Sequence, residues 1–246
     1  MKHTGLLLSL IVTITLNPFL SSPVSAGSGY IEPTLRLSKS NASLKSVALT
    51  LDACGGKVDK RILSTLIKHQ IPATIFVSGR WIRANAATMA VFKSHPKLFQ
   101  IENHGRDHRP AIDRAGKIYG IAAAGSRAAV QTEVDGGSQA ILSATGRKPQ
   151  WFRGATALYT SSSIKQIEAM GFQVAGYTIS ADAGAALSAQ ATQRRILRAV
   201  DGDVILAHIN QPSKPAGAGF VTGILELKMR GYKFVLLKDV KTVQGH

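Results

Sequence analysis

Apolar runs that read as buried strands alternate along this chain with apolar positions at helical spacing. Val47-Ala48-Leu49-Thr50-Leu51, closed by Asp52, is the first such run, and Ile62, Leu63, Leu66 and Ile67 after it recur at the interval that lines one helix face. Strands are expected at 47–52, 72–78, 98–102, 151–153, 172–179, 203–207 and 232–237. Helices are expected at 58–69, 82–94, 121–144, 161–170, 192–200 and 219–230, with Gly136-Gly137 weakening the longest. About seven βα pairs imply a parallel sheet flanked by helices, and that many repeats favours a closed or nearly closed barrel over an open sheet. In such folds the carboxyl ends of the strands carry the chemistry. Asp52, His104, His108, Arg153, Asp182 and His208 all fall at or just beyond those ends.

The first residues break the alternation. Lys2 and His3 precede an apolar stretch from Leu6 to Leu16, and Val24-Ser25-Ala26 places small residues at the positions a leader peptidase reads. Residues 1–26 are therefore expected to be a signal peptide, since Asn17 and Pro18 stop the stretch well short of the roughly 20 residues a membrane span needs. Residues 27–45 read as a polar lead-in with at most one edge strand, and residues 46–246 as the single functional domain. This organisation predicts a protein that is exported, periplasmic or secreted, with no transmembrane anchor after cleavage.

Charge and cysteine content narrow the partners. The formal net charge of +16 favours an anionic polymer at a cell surface, whereas dispersed basic residues and few aromatics argue against specific nucleic-acid binding. Cys54 is the only cysteine, which excludes an internal disulfide and leaves a lone thiol two residues from Asp52. No nucleophile elbow, Walker pattern or dinucleotide fingerprint is present, which disfavours serine esterases and nucleotide enzymes.

His104 and His108 stand four apart in the polar turn Glu102-Asn103-His104-Gly105-Arg106-Asp107-His108-Arg109-Pro110. Imidazole is a common zinc ligand, and a catalytic zinc takes three protein ligands with one position left open. Chance spacing is the competing reading for such a pair, and capping of the following helix is the competing reading for Asp52. Asp182 reads equally as a turn residue before Gly184 and as the carboxylate that orients His208. Trp81, Trp151 and Tyr159 are more often core than a sugar-stacking groove at their spacing.

Taken in order, these residues resemble the polysaccharide deacetylases, the NodB-homology group of carbohydrate esterases. Thr50-Leu51-Asp52 resembles the start of the family's T-F-D-D-G motif, and His104 to His108 its H-[ST]-x-x-H motif, with Gly105 where a hydroxyl residue is usual. Phe152-Arg153-Gly154 resembles the R-x-P-Y-G motif without its Pro and Tyr. Ser180-Ala181-Asp182 resembles the aspartate motif without its Trp, and Leu206-Ala207-His208 the L-x-H motif. The resemblance implies a distorted (β/α) barrel of about seven strands and a divalent metal, zinc first, held by two histidines and an aspartate. It further implies hydrolytic removal of acetyl groups from an acetylated glycan, with Asp52 as base, His208 as acid, and Arg153 and Asp182 orienting them. Ala53 stands where the family places its second aspartate, so either Asp52 is the third ligand or another group is, with Cys54 and Asp107 as candidates. Two alternatives remain: a non-catalytic glycan-binding relative, and a metal-dependent amidase of cell-wall peptides.

Overall fold

The computed structural model describes residues 1, 29–38 and 45–245. The expected signal peptide and residues 39–44 of the lead-in lie outside the described residues, apart from Met1. In chain order the elements are β1 (Thr34–Leu37), β2 (Ser46–Ala53), α1 (Lys60–Lys68), β3 (Ala73–Val77), α2 (Gly79–Ala84), α3 (Ala86–Ser94) and β4 (Phe99–Asn103). Next come β5 (Lys117–Ile118), β6 (Ile121–Ala122), α4 (Arg127–Thr145), β7 (Trp151–Phe152), α5 (Ser161–Ala169), β8 (Gln173–Val174) and β9 (Ile179–Ser180). The chain ends with α6 (Ala189–Ile196), β10 (Val204–His208), α7 (Ala216–Met229), β11 (Lys233–Val235) and β12 (Thr242–Gly245).

Seven parallel strands pair in the order β8-β7-β4-β3-β2-β10-β9, and β11 adds to the first residues of β2. They form an incomplete (β/α) barrel, less closed than the alternation alone predicts and of the distorted seven-strand kind that the resemblance implies. Strand β2 lies at its centre and sorts its side chains by pleat: Leu49, Leu51 and Ala53 join the apolar layer shared with Ile62 and Leu66 of α1, while Thr50 and Asp52 face inward toward Arg153. Helix α1 is capped by Asp59, whose Oδ1 accepts from Arg61 N, so Asp52 is free of the capping role.

Strands β8 and β9 do not pair, and the lead-in covers that side of the barrel. Ile31 bridges to Tyr159, Arg36 bridges to Asp203, and β1 pairs antiparallel with β12. A Cβ on Gly176 would lie 2.1 Å from the Pro33 carbonyl oxygen, so the crossing needs a glycine there. This crossing explains why the single strand expected at 172–179 is two short strands. The helix expected at 82–94 is also two, broken at Asn85, whose side chain donates to the carbonyls of Trp81 and Gly56. The helix expected from 121 starts instead at the Ser126 cap, because residues 117–122 form the β5–β6 hairpin.

Gly136 and Gly137 do more than weaken α4. A Cβ on Gly137 would lie 2.1 Å from Asn103 Oδ1, and one on Gly136 would lie 2.5 Å from Arg106 Cδ. These two glycines let α4 lie directly against the loop that follows β4.

Candidate active site

Asp52, Cys54, His104, His108 and His208 line one cavity of about 1410 Å³, reached from the carboxyl ends of the strands. His208 and Asp52 are register partners across β10 and β2, so two distant stretches arrive at the same height in the sheet. Arg153 spans the barrel interior, fully buried. It donates to Asp52 Oδ1 and Thr50 Oγ1 at 3.0 Å each, and to the carbonyls of Ala175 and Gly176.

Cys54, His104 and His108 bring one donor atom each within 4.8 Å of one another, with Cys54 Sγ 3.4 Å from His104 Nε2. Tetrahedral zinc with bonds of about 2.0–2.3 Å separates its ligand atoms by roughly 3.3–3.7 Å, so one thiolate and two imidazoles fit such an ion. Asp52 stands beside this trio rather than in it: its Oδ2 is 3.8 Å from His104 Nε2 and its Oδ1 is engaged by Arg153. Asp107 is paired with Arg106 at 2.7 Å and with Arg83, away from the donor trio.

The electrostatics follow from the crowding. Burial pushes the Cys54 thiol up, but the charge and hydrogen bond of His104, with His108 and His208 adding, hold it well below the usual thiol range. Burial likewise opposes ionisation of Asp52, yet His104, Arg153 and His208 outweigh it and lower its pKa. The two imidazoles show the converse. Burial works against their protonation, while Asp52 and Cys54 raise the pKa of His104 and Asp182 raises that of His208 well above the ordinary value. A divalent cation would take the place of protons shared among such groups.

Each donor is held by its neighbours. His104 Nδ1 lies 2.6 Å from the Arg153 carbonyl oxygen, which fixes the ring with Nε2 toward Cys54, the kind of outer partner that orients metal-binding imidazoles. His108 sits at φ 61°, a left-handed conformation that a non-glycine residue keeps only under external restraint. The restraint comes from two helices. Gly79 N and Arg80 N at the start of α2 donate to the carbonyls of Gly105 and Arg106, and the buried Glu133 carboxylate of α4 accepts from Asp107 N and Arg109 N at 3.0 Å. A Cβ on Gly105 would lie 2.3 Å from Glu133 Oε1, so the carboxylate occupies the room a larger residue at that position would need.

On the other side, Asp182 grips His208 twice, Oδ1 to Nδ1 at 2.9 Å and Oδ2 accepting from the backbone N at 2.7 Å. That double contact separates the two readings the sequence left even. Ser78 Oγ and Arg80 Nε donate to the Cys54 carbonyl, and Asn210 Nδ2 donates to that of Gly55.

Other candidates lie elsewhere. Trp81, Trp151 and Tyr159 are buried in the core, so none offers a face to a sugar; Tyr159 Oη accepts from Gly154 N. Glu102 accepts from the backbone N of Gln150 and Trp151 and aligns β4 with β7, whereas Asn103 holds the loop through Gly105 N and Val134 O. Glu133 and Asn210 were not legible as site residues, because their partners are backbone groups distant in sequence.

The polysaccharide deacetylase family profile matches residues 39–175. The chain is 24% identical over 196 residues to the uncharacterised protein YlxY of Bacillus subtilis, covering 79% of this chain and 56% of that one. It is 24% identical over 198 residues to the peptidoglycan-N-acetylglucosamine deacetylase PgdA of Listeria monocytogenes, covering 80% of this chain and 39% of that one. It thus spans about half or less of the length of these curated relatives. A solved structure of a CE4 family pseudoenzyme from Bacillus anthracis superposes with a TM-score of 0.65 at 22% identity, covering 80% of this chain and 66% of that one.

Proposed function

The chain belongs to the polysaccharide deacetylase family, and from that premise we propose that it removes acetyl groups from an acetylated glycan, an N-acetyl amino sugar polymer of peptidoglycan or chitin type. Cys54, His104 and His108 would hold a divalent metal, zinc first, with Cys54 taking the place of a second aspartate. One observation carries this reading: Asp52 with Arg153 and His208 with Asp182 stand at one register level beside the donor trio.

When bound, the cation supplies Lewis-acid polarisation of the acetyl carbonyl and makes water more acidic. Asp52, kept ionised by Arg153, accepts the proton of the attacking water. As the new C–O bond forms and the bond to the sugar nitrogen or oxygen breaks, His208 gives its proton to the departing amine or hydroxyl. Asp182 holds Nδ1–H and so leaves the other ring nitrogen for that transfer. Closure by the lead-in, with Glu32 and Tyr177 on the cavity wall, gives the substrate a bounded groove.

Acetate release from chitooligosaccharides, acetylxylan and peptidoglycan, with and without chelator, tests this function. Chelator-sensitive acetate is the expected result. A second reading has an observation of its own: Ala53 is fully buried in the apolar layer, so the neighbour of Asp52 offers no carboxylate. Tight glycan binding with no acetate from any substrate would establish that non-catalytic reading, and release of wall peptides would establish an amidase. Residues 1–26 place the protein outside the cytoplasm in this proposal, where its charge of +16 suits an anionic surface polymer. N-terminal sequencing of the mature protein should begin at Gly27.

A further inference from the structure

We propose that Tyr119, at the tip of the β5–β6 hairpin, is the stacking platform for a pyranose ring adjoining the acetylated one, and so a specificity-determining residue for the length of glycan bound. The proposal rests on the deacetylase reading for its ligand class. Tyr119 is 73% exposed, the one strongly exposed aromatic side chain among the described residues. Its φ is 49° and that of Gly120 is 80°, so both central residues of this two-residue turn are left-handed. Turns of that kind favour Asn, Asp or Gly, and an aromatic residue there is strained without gaining burial. Folding stability therefore gives no account of a tyrosine at this position.

Its placement does. Tyr119 and Ile121 line the same cavity as Cys54, His108 and His208. The hairpin is firmly seated: Ile118 packs with Ile112 and Ala123, Ala123 N donates to Gly116 O, and Ala124 N donates to the carbonyl of Pro110, two residues beyond His108. The backbone that carries Tyr119 is thus tied to the loop that carries His108. A cavity of about 1410 Å³ exceeds the ~300–1,000 Å³ of pockets that hold a drug-sized ligand, leaving room for more than one ring. An exposed tyrosine offers an apolar face to the C–H face of a sugar and a hydroxyl at its edge for hydrogen bonding.

The test is calorimetric titration of the full chain, its Tyr119→Asn variant and its Tyr119→Trp variant with N-acetylglucosamine and with chitotetraose, and acetate release measured in parallel. Asn suits the left-handed turn, so Tyr119→Asn should melt no lower than wild type and its binding can be read directly. Tyr119→Asn should bind the tetramer about tenfold more weakly and the monosaccharide unchanged, with Tyr119→Trp restoring the tetramer. Unchanged tetramer affinity in Tyr119→Asn, or no binding of either sugar by wild type, would overturn the subsite. The acetate measurement separates the two claims. Release with unaltered binding in Tyr119→Asn sinks the subsite alone, and binding lost in Tyr119→Asn with no acetate from wild type sinks the catalytic reading alone.

Discussion

The carboxyl end of β2 carries Asp52, with Cys54 just beyond it, and the loop after β4 carries His104 and His108, yet the two are supported by different means. The first continues a strand buried on both faces, paired with β3 and β10, so its position follows from sheet register. The second leaves its strand, passes through a left-handed histidine, and is held from outside by α2 and by Glu133 of α4. The contrast separates chemistry from support. At the end of β2 the scaffold is sheet register, whereas in the β4 loop much of the support comes from Glu133, some 25 residues on in the chain.

Three experiments sharpen or break that contrast. The largest effect belongs to His104→Ala and His108→Ala, each of which should abolish stoichiometric metal by elemental analysis while circular dichroism keeps the wild-type spectrum. Full occupancy in either variant would remove the β4 loop from the site. Next, Cys54→Ser should lower zinc affinity on the order of a hundredfold, because it replaces a thiolate with a hydroxyl of far higher pKa. Unchanged affinity would return the third position to Asp52. Smallest is Glu133→Ala, which strands the backbone N–H groups of Asp107 and Arg109 and should cost roughly 10–100-fold in metal affinity. Glu133→Gln keeps an acceptor and should recover part of the loss. Equal affinity in all three proteins would show that the loop holds its shape without α4, and the two regions would then be supported alike.

Much of this was legible because it is local. The run from Val47 to Leu51 and the helical spacing of Ile62, Leu63, Leu66 and Ile67 report burial directly, and the βα alternation they begin leads to the barrel. The elements that deviated did so where another segment intrudes. Residues 172–179 divide where the lead-in crosses Gly176, and the helix expected from 121 gives way to a hairpin tied to Pro110. Gly136-Gly137 read as a weakness by helix propensity and turned out to be a contact surface.

By itself the sequence determined the main βα alternation, the placement of six polar groups at or just beyond strand ends, and their resemblance to a family pattern, because periodicity and motif spacing are properties of neighbouring residues. Only the tertiary structure decided that Cys54, rather than Asp52, shares donor reach with both histidines, that Asp182 grips His208, and that Glu133 supports the histidine loop. Those outcomes depend on how far one strand end stands from another in three dimensions, a distance set by sheet register and helix packing that the order of residues does not carry.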